Sequence, residues 1–123
     1  MSEPRTILIA DDEPLMTELL EFRLGARGYK TVVAHDGREA LAKLDEARPD
    51  AVVLDAMMPV HDGFEVLRRM RANAAHADIP VIMLTSRRGE QDVLGALEIG
   101  ANDYLVKPFM PEELLMRLGR LIK

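Results

Sequence analysis

Five polar residues, each placed after an apolar run, have the types needed for phosphoryl transfer. Asp11 and Asp12 close the first run, Asp55 closes the third, Thr85 the fourth and Lys107 the fifth. Three neighbouring carboxylates repel one another unless a cation lies among them, and oxygen-only ligands suit Mg²⁺. Aspartate is also a competent nucleophile towards phosphorus, while an ammonium group and a hydroxyl can hold phosphoryl oxygens. These residue types predict a magnesium-assisted phosphoryl transfer if the fold brings them together.

The elements that must position these residues alternate along the chain. Five β-branched runs alternate with longer segments of helical periodicity, which predicts an α/β fold with a parallel sheet and helices on both faces. Right-handed crossovers leave few topologies, and the flavodoxin-like order 2-1-3-4-5 is the leading one. The predicted strands cover residues 6–10, 29–34, 51–54, 81–84 and 103–106. Ligands bind at the carboxyl ends of such strands, so we expect the five polar residues to meet at one rim.

Local signals mark the starts of the helices. Pro14 stands where proline is tolerated in a first turn, and Leu15, Leu19 and Phe22 follow it at helical spacing, with Gly28 as an end signal. Two further helices are predicted to begin at capping-box pairs, Asp36 with Glu39 and Asp62 with Glu65.

Length and composition limit the classes of protein. A chain of 123 residues fits one domain, and 48% hydrophobic and 30% charged residues are typical of a globular protein. The absence of cysteine excludes disulfides and thiolate chemistry, and neither a signal peptide nor a membrane span is apparent. We therefore expect a cytoplasmic protein without membrane contact. The net charge of −5 argues against direct binding of nucleic acid.

Two residue types outside the rim carry weaker predictions. His35, His61 and His76 have no metal-ligand spacing, so we expect them on the surface. Most of the eight methionines are expected to fill the core, whereas Met57 and Met58 should lie beside the rim.

Four sequence blocks, in this order, resemble the receiver domains of two-component response regulators. The blocks are LIADDEP, VVLDAMMPVHDG, VIMLTSRR and GANDYLVKPF, and the resemblance covers essentially the whole chain, residues 1–123. It implies that Asp55 accepts a phosphoryl group from a sensor histidine kinase or a histidine phosphotransfer protein. It further implies that Asp12, Asp55 and the backbone carbonyl of Met57 bind Mg²⁺ directly, and that Asp11 acts through water.

The same resemblance assigns the remaining roles. Lys107 would pair with the phosphoryl group, and Thr85 would donate a hydrogen bond to one of its oxygens. The bond between Lys107 and Pro108 would be cis. Tyr104 would turn inward as Thr85 moves, and this would change the output face formed by the fourth helix, fifth strand and fifth helix for a downstream effector protein or domain.

The resemblance leaves two properties open. Three residues match charges used by a dimerising subfamily, namely Asp103, Glu113 and Arg117, but Val93 stands where that subfamily has a basic residue. A homodimer of the phosphorylated form is therefore one of two alternatives. Met57 and Arg87 occupy positions that control access of the attacking water in this family, and their bulk predicts slow self-dephosphorylation.

Several rival interpretations must be weighed. Asp11 and Asp12 could merely cap the first helix. A haloacid-dehalogenase-like phosphatase would need Asp-x-Asp after the first strand, and a flavodoxin-like nucleotide binder would need a glycine-rich phosphate loop; the sequence has neither there. A pseudo-receiver would lack at least one of the five rim residues, all of which are present. Sequence alone leaves open whether the chain stands alone or belongs to a longer regulator, and which kinase and signal it serves.

Overall fold

Five strands and five helices alternate along the chain. The computed structural model describes residues 4–86 and 90–122, although the side chains of residues 86 and 90–93 are not described. The strands are β1 (Thr6–Ala10), β2 (Lys30–Ala34), β3 (Ala51–Asp55), β4 (Val81–Ser86) and β5 (Asp103–Lys107). The helices are α1 (Pro14–Ala26), α2 (Gly37–Ala47), α3 (Gly63–Ala72), α4 (Glu90–Ile99) and α5 (Pro111–Leu121). Within the described ranges, no helix has the length and apolar character needed to cross a membrane.

All neighbouring strands are parallel, in the order β2-β1-β3-β4-β5. The predicted fold class and strand order are therefore confirmed. The chain order reverses at β1, which pairs with both β2 and β3. The ends of β1 and β3 are adjacent, since Ala10 pairs with Leu54, and this places the polar residues after both strands at the reversal point, where such sheets bind ligands.

Two apolar clusters lie on opposite faces of the sheet. One contains buried residues of α2, α3 and α4, and the other contains buried residues of α1 and α5. The central strand β3 is buried at every position, whereas the edge strand β2 is fully buried only at Ala34. Coverage on both faces explains why β3 is a continuous apolar run rather than an alternating one.

The buried face of α1 is not the one that carries Leu15, Leu19 and Phe22, the apolar residues at the most regular helical spacing. Thr17, Leu20 and Leu24 are buried, while Leu15 and Phe22 are 80% and 74% exposed. The helix itself forms as predicted, with Pro14 at its first position. An apolar stripe consisting of Leu15, Leu19 and Phe22 consequently faces away from the core.

The two predicted capping pairs form at the starts of α2 and α3. Asp36 Oδ1 accepts the backbone N–H of Glu39 at 2.7 Å, and Asp62 Oδ1 accepts that of Glu65 at 2.9 Å. Each bond satisfies an N–H group that has no partner within its helix. Because α2 and α3 begin beside the rim, these caps fix the helix ends nearest to the carboxylates.

The prediction that all three histidines lie on the surface is wrong for His76. Its side chain is only 9% exposed, and Nε2 lies 3.1 Å from Asp45 Oδ1. His76 lies in the connection between α3 and β4 and lines a cavity together with Leu44 of α2. This pole lies opposite the rim, and the histidine therefore has no contact with the polar cluster.

Arg71 connects several segments at the same pole. Its guanidinium donates hydrogen bonds to the carbonyls of His76, Ala77 and Gly100 and to Oδ1 of Asn102, at 3.0–3.3 Å. Burial lowers the pKa of this guanidinium, and the charge of an aspartate partly opposes that shift. One side chain thus joins α3 to the segments that precede β4 and β5.

Candidate functional site

Three carboxylates meet at the carboxyl ends of β1 and β3. Asp11 is completely buried and Asp55 is 6% exposed, while Asp12 is exposed. One oxygen from each lies within 4.8 Å of the others. The predicted acidic cluster is therefore present, and its oxygen-only donor set is of the kind that Mg²⁺ takes in proteins.

Lys107 supplies the positive charge at this cluster. Its Nζ lies 3.1 Å from Asp11 Oδ2 and 3.4 Å from Asp55 Oδ1, although β4 separates β5 from β3 in the sheet. Burial lowers the pKa of the ammonium group, but the carboxylates of Asp55 and Asp11 together outweigh this, and the net shift is upward. Lys107 is therefore held in its charged form between the two buried carboxylates. The peptide bond that joins it to Pro108 is cis, as the resemblance implies.

Asp55 has a strongly perturbed carboxyl group. Burial and the charge of Asp11 raise its pKa from 3.8 to about 6, even though Lys107 and a hydrogen bond from the Met57 N–H act in the opposite direction. The Met57 nitrogen lies 3.4 Å from Asp55 Oδ1. Within the described part of the chain, the carboxylate of Asp55 is held in place but only partly neutralised, because Asp11 and Asp55 share one ammonium group.

Asp11 is fixed from its other side by the start of α1. Its Oδ1 accepts the N–H of Glu13 at 3.0 Å, and its backbone N–H donates to the carbonyl of Ala34 on β2. Glu13 is the residue immediately before α1, and its own side chain makes no capping bond. Asp11 therefore orders the turn that leads into the helix, and its second oxygen remains directed at Lys107.

Thr85 and Tyr104 lie on the same face of the sheet. Thr85 is 3% exposed at the rim and pairs with Val106, whereas Tyr104 pairs with Met83, two residues earlier on β4. Side chains two residues apart on a strand share a face, so both belong to the face covered by α2, α3 and α4. Tyr104 is half-buried against the apolar cluster on that face. The structure thus places Thr85 at the rim and Tyr104 farther down β5.

Met57 and Met58 have different environments. Met57 is 69% exposed at the start of the connection between β3 and α3, while Met58 is 9% exposed and belongs to the core. Arg87, the other residue predicted to control water access, lies outside the described residues.

Gly63 is a site residue that sequence reasoning missed. It is the first residue of α3, its N–H donates to the carbonyl of Ala56 at 2.9 Å, and a Cβ here would collide with the backbone oxygen of Asp55. Glycine thus allows α3 to begin directly behind Asp55. The local sequence offers one signal, a glycine directly after the capping residue Asp62, but that pattern does not identify what the glycine approaches.

Comparisons with known proteins agree with this arrangement. The family model for the response regulator receiver domain matches residues 7–119. The transcriptional regulatory protein TrcR of Mycobacterium tuberculosis is 44% identical over 120 residues, which are 98% of this chain and 46% of TrcR. Chemotaxis protein CheY4 of Vibrio cholerae has a TM-score of 0.89 at 36% identity, with 96% of this chain and 98% of that chain covered.

A third relative has been solved with a metal. The receiver domain of sensor histidine kinase PA1611 from Pseudomonas aeruginosa has a TM-score of 0.88 at 34% identity, with 97% of this chain and 98% of that chain covered. That structure has a magnesium ion coordinated in its active-site cleft. The chain spans about half the length of the curated relatives that it matches, although nearly all of the chain is aligned with them.

Proposed function

Because the chain belongs to the response regulator receiver domain family, we propose that Asp55 is its phosphoryl acceptor. As a receiver domain it is a phosphoacceptor switch of two-component signalling. The observation that carries the assignment is the position of the Lys107 ammonium, 3.1 Å from Asp11 and 3.4 Å from Asp55. Of the carboxylates that the structure describes at this rim, Asp55 alone combines the end of a central strand, near-complete burial and a residual opening to solvent.

The three carboxylates fit a magnesium ion. Asp12 and Asp55 would bind it directly with the backbone carbonyl of Met57, and Asp11 would act through water. One oxygen from each lies within 4.8 Å of the others, and among the described side chains the one ammonium group of Lys107 faces three carboxylates, which leaves negative charge in excess there. When bound, Mg²⁺ neutralises carboxylate and phosphoryl charge so that two anionic groups can approach each other.

The transfer itself uses the carboxylate of Asp55. One of its oxygens attacks the phosphorus of a phosphohistidine, the P–N bond breaks, and the electron pair of that bond stays on the imidazole nitrogen. Lys107 then changes partner from the Asp55 carboxylate to an oxygen of the new acyl phosphate. Thr85, at the end of β4, would donate its hydroxyl to another of those oxygens. These residues act by position and charge, which is the usual contribution of protein groups to phosphoryl transfer.

Phosphorylation would change the output face through Thr85 and Tyr104. Movement of Thr85 towards the phosphoryl group opens space on the face of the sheet that Tyr104 shares, and a half-buried ring can enter it. Thr85 hydrogen-bonds the phosphoryl oxygens only in the state in which Tyr104 points inward. Phosphorylation therefore shifts the population towards that state. The affected surface consists of α4, β5 and α5.

Three charged residues of this output face, Asp103, Glu113 and Arg117, are already paired with one another. Arg117 donates to Asp103 Oδ1 at 2.7 Å and to Glu113 Oε2 at 3.1 Å. Burial lowers the pKa of Arg117, but these two carboxylates outweigh it and the net shift is upward. A homodimer through this face would exchange these internal pairs for pairs between chains; the side chain of Val93 is not among those described. Sedimentation of the beryllofluoride-treated protein distinguishes this homodimer from a monomer.

The domain would exchange the signal with two kinds of partner. The phosphodonor is a sensor histidine kinase or a histidine phosphotransfer protein, and the receiver of the signal is a downstream effector protein or domain. Residues 1–123 form one receiver domain without direct contact to nucleic acid, and a cytoplasmic location follows from exchange with such a donor. The domain acts on no other substrate and assists only its own phosphorylation and dephosphorylation.

Met57 is proposed to slow dephosphorylation. Its exposed side chain stands two residues after Asp55, where an apolar group hinders the approach of water to phosphorus. Met57→Asn should accelerate decay of the phosphorylated form, measured by intact mass after removal of the donor. Decay of the wild type as fast as that of the variant would contradict this role.

Intact mass and NMR test the acceptor assignment directly. Wild type, Asp55→Asn and the control Asp78→Asn are incubated with acetyl phosphate or beryllofluoride, each with and without Mg²⁺. Asp78 is an exposed residue of the connection between α3 and β4 and lies outside the acidic cluster. We expect addition of one phosphoryl group, or spectral changes on α4, β5 and α5, in wild type and control only, and only with Mg²⁺. No response in the wild type would favour the pseudo-receiver, and an undiminished response in Asp55→Asn would refute the acceptor.

A further inference from the structure

The connection between β3 and α3 rests on the first turn of α2. The carbonyl of Pro59 accepts two backbone hydrogen bonds, from Gly37 at 3.1 Å and from His61 at 2.9 Å. Gly37 is the first residue of α2, more than 20 positions earlier in the chain. A helix that contributes no side chain to the acidic cluster therefore contacts the backbone segment that carries Met57.

Gly37 is suited to this contact in two ways. The N–H groups of a first helical turn have no partner within the helix, so the Gly37 N–H is available to Pro59. A Cβ at Gly37 would collide with the backbone carbonyl carbon and oxygen of His61 and with its Cβ. These are not the far ends of flexible side chains, and any larger residue at position 37 must displace the segment.

The segment is held in a strained conformation at Val60. Its φ is +71°, and the His61 N–H bonds to the Pro59 carbonyl across it, which is the hydrogen-bond pattern of a γ-turn with positive φ. Such turns are rare and strained, and a β-branched residue at positive φ is an outlier. Val60 is 65% exposed, so packing of its side chain does not account for the conformation. Strain of this kind persists only where the surroundings impose it, and Gly37 is the contact on this side.

We propose that Gly37 is a positioning residue for the metal site, acting through Pro59 on Met57. Only Met58 separates Met57 from Pro59, and the segment is fixed again four residues later by the bond from the Gly63 N–H to the Ala56 carbonyl. A displacement at Pro59 therefore reaches Met57. The Met57 N–H donates to Asp55, and its carbonyl is the proposed magnesium ligand. This inference rests on the proposed function and adds α2 to the elements that set the metal geometry.

Coupling between the Gly37 hydrogen bond and metal binding must act in both directions. If the Gly37 bond holds Met57 for the metal, then the bound metal must stabilise the Gly37 bond by the same free energy. Gly37 is not itself a proposed ligand, so protection of its amide by Mg²⁺ is a consequence that a merely structural glycine would not show.

The test compares Gly37→Ala with the matched control Gly25→Ala. Gly25 also lies in a helix, but a Cβ there meets no atom within 4 Å. Mg²⁺ affinity is measured by NMR titration at a temperature where both variants are folded. We expect Gly37→Ala to bind Mg²⁺ about 10-fold more weakly, as is usual when a group that orients a metal ligand is lost, and Gly25→Ala to bind like wild type.

Hydrogen exchange of the Gly37 amide in the wild type provides the second measurement and does not depend on the folding of a variant. We expect Mg²⁺ to slow this exchange more than that of the Gly25 amide. Equal Mg²⁺ affinities for the two variants, or Gly37 exchange that Mg²⁺ leaves unchanged, would overturn the inference alone. Failure of the wild type to bind Mg²⁺ would instead overturn the proposed function, and the inference with it.

Discussion

Replacing Asp55 with asparagine should stabilise the protein when no divalent metal is present. Folding raises the pKa of the Asp55 carboxyl from 3.8 to about 6, because burial and the charge of Asp11 disfavour its ionised form. One pKa unit corresponds to about 1.36 kcal/mol, so ionised Asp55 reduces the free energy of unfolding by about 3 kcal/mol at neutral pH. Asparagine cannot ionise and has nearly the same shape, and Asp55→Asn should recover most of that free energy.

The sign of the pH dependence follows from the direction of the pKa shift. Between about pH 4 and pH 6 the folded protein binds more protons at Asp55 than the unfolded chain does, so this group's contribution to stability falls as pH rises. The advantage of Asp55→Asn over wild type should therefore be near zero at about pH 4, grow through pH 6 and level off above it. Titrating groups far from Asp55 contribute equally to both proteins and cancel in the difference, whereas Asp11 and Lys107 interact with Asp55 and add to it.

Urea denaturation in EDTA at several pH values measures this difference. Glu18→Gln, which removes an exposed carboxylate from α1, is the matched control and should differ little from wild type at any pH. Addition of Mg²⁺ should narrow this difference by stabilising wild type more than Asp55→Asn, since a ligand stabilises the folded state that binds it. If Asp55→Asn is no more stable than wild type at pH 8 in EDTA, the argument that burial and the charge of Asp11 destabilise ionised Asp55 fails.

Three further substitutions test other contacts. Gly63→Ala should lower the free energy of unfolding by about 3 kcal/mol in urea, because its Cβ must displace the backbone at Asp55; a loss below about 1 kcal/mol would contradict that close approach. Arg71→Met should cost about 2 kcal/mol by leaving several partly buried carbonyl oxygens without their donor, whereas the exposed Arg69→Met should cost under about 1 kcal/mol; equal losses would contradict the bridging role. Lys107→Met should raise the pKa of Asp55 further above 6, because the Lys107 ammonium lowers that pKa. Carboxyl NMR measures this pKa, and an unchanged value would contradict the role of Lys107.

The sequence was sufficient to predict that these residues lie at one rim, because each of them ends a predicted strand. Asp55 follows a strand that is buried at every position, and a parallel sheet brings the ends of its strands to one edge whatever their separation in the chain. Lys107 reaches Asp11 across 96 positions for that reason. Neither the position of Asp55 nor the contact of Lys107 with Asp11 required a prediction of side-chain packing.

Features that depend on packing between elements were harder to predict. In α1, the spacing of Leu15, Leu19 and Phe22 fits a helix, but so does the spacing of Leu20 and Leu24, which is the face that the sheet covers. Periodicity identifies the helix in both cases, and only the position of the neighbouring elements decides which stripe is buried. His76 is a similar case, because nothing in the sequence around it indicates that its ring is buried or that α2 provides Asp45 as its partner.

Gly37 shows the same limit within the functional region. In sequence it follows a capping residue, which indicates only the start of a helix. It donates to the carbonyl of Pro59 and lies close to the backbone of His61, and the position of both depends on the connection after β3. Backbone atoms carry no sequence signal, so a close approach between two main-chain segments can be found only from coordinates.

The electrostatics and the backbone contacts of the rim serve the same purpose. Burial holds Asp11 and Asp55 close enough to destabilise each other when both are ionised, and the ammonium of Lys107 only partly compensates. Without backbone restraint, such carboxylates could move apart into water and the repulsion would relax. The Glu13 N–H on Asp11, the Met57 N–H on Asp55 and the close approach of Gly63 oppose that movement. The negative charge that Lys107 leaves uncompensated therefore favours the binding of a cation. An added phosphoryl group would draw Lys107 and Thr85 towards its oxygens, and the fixed backbone determines where those oxygens lie.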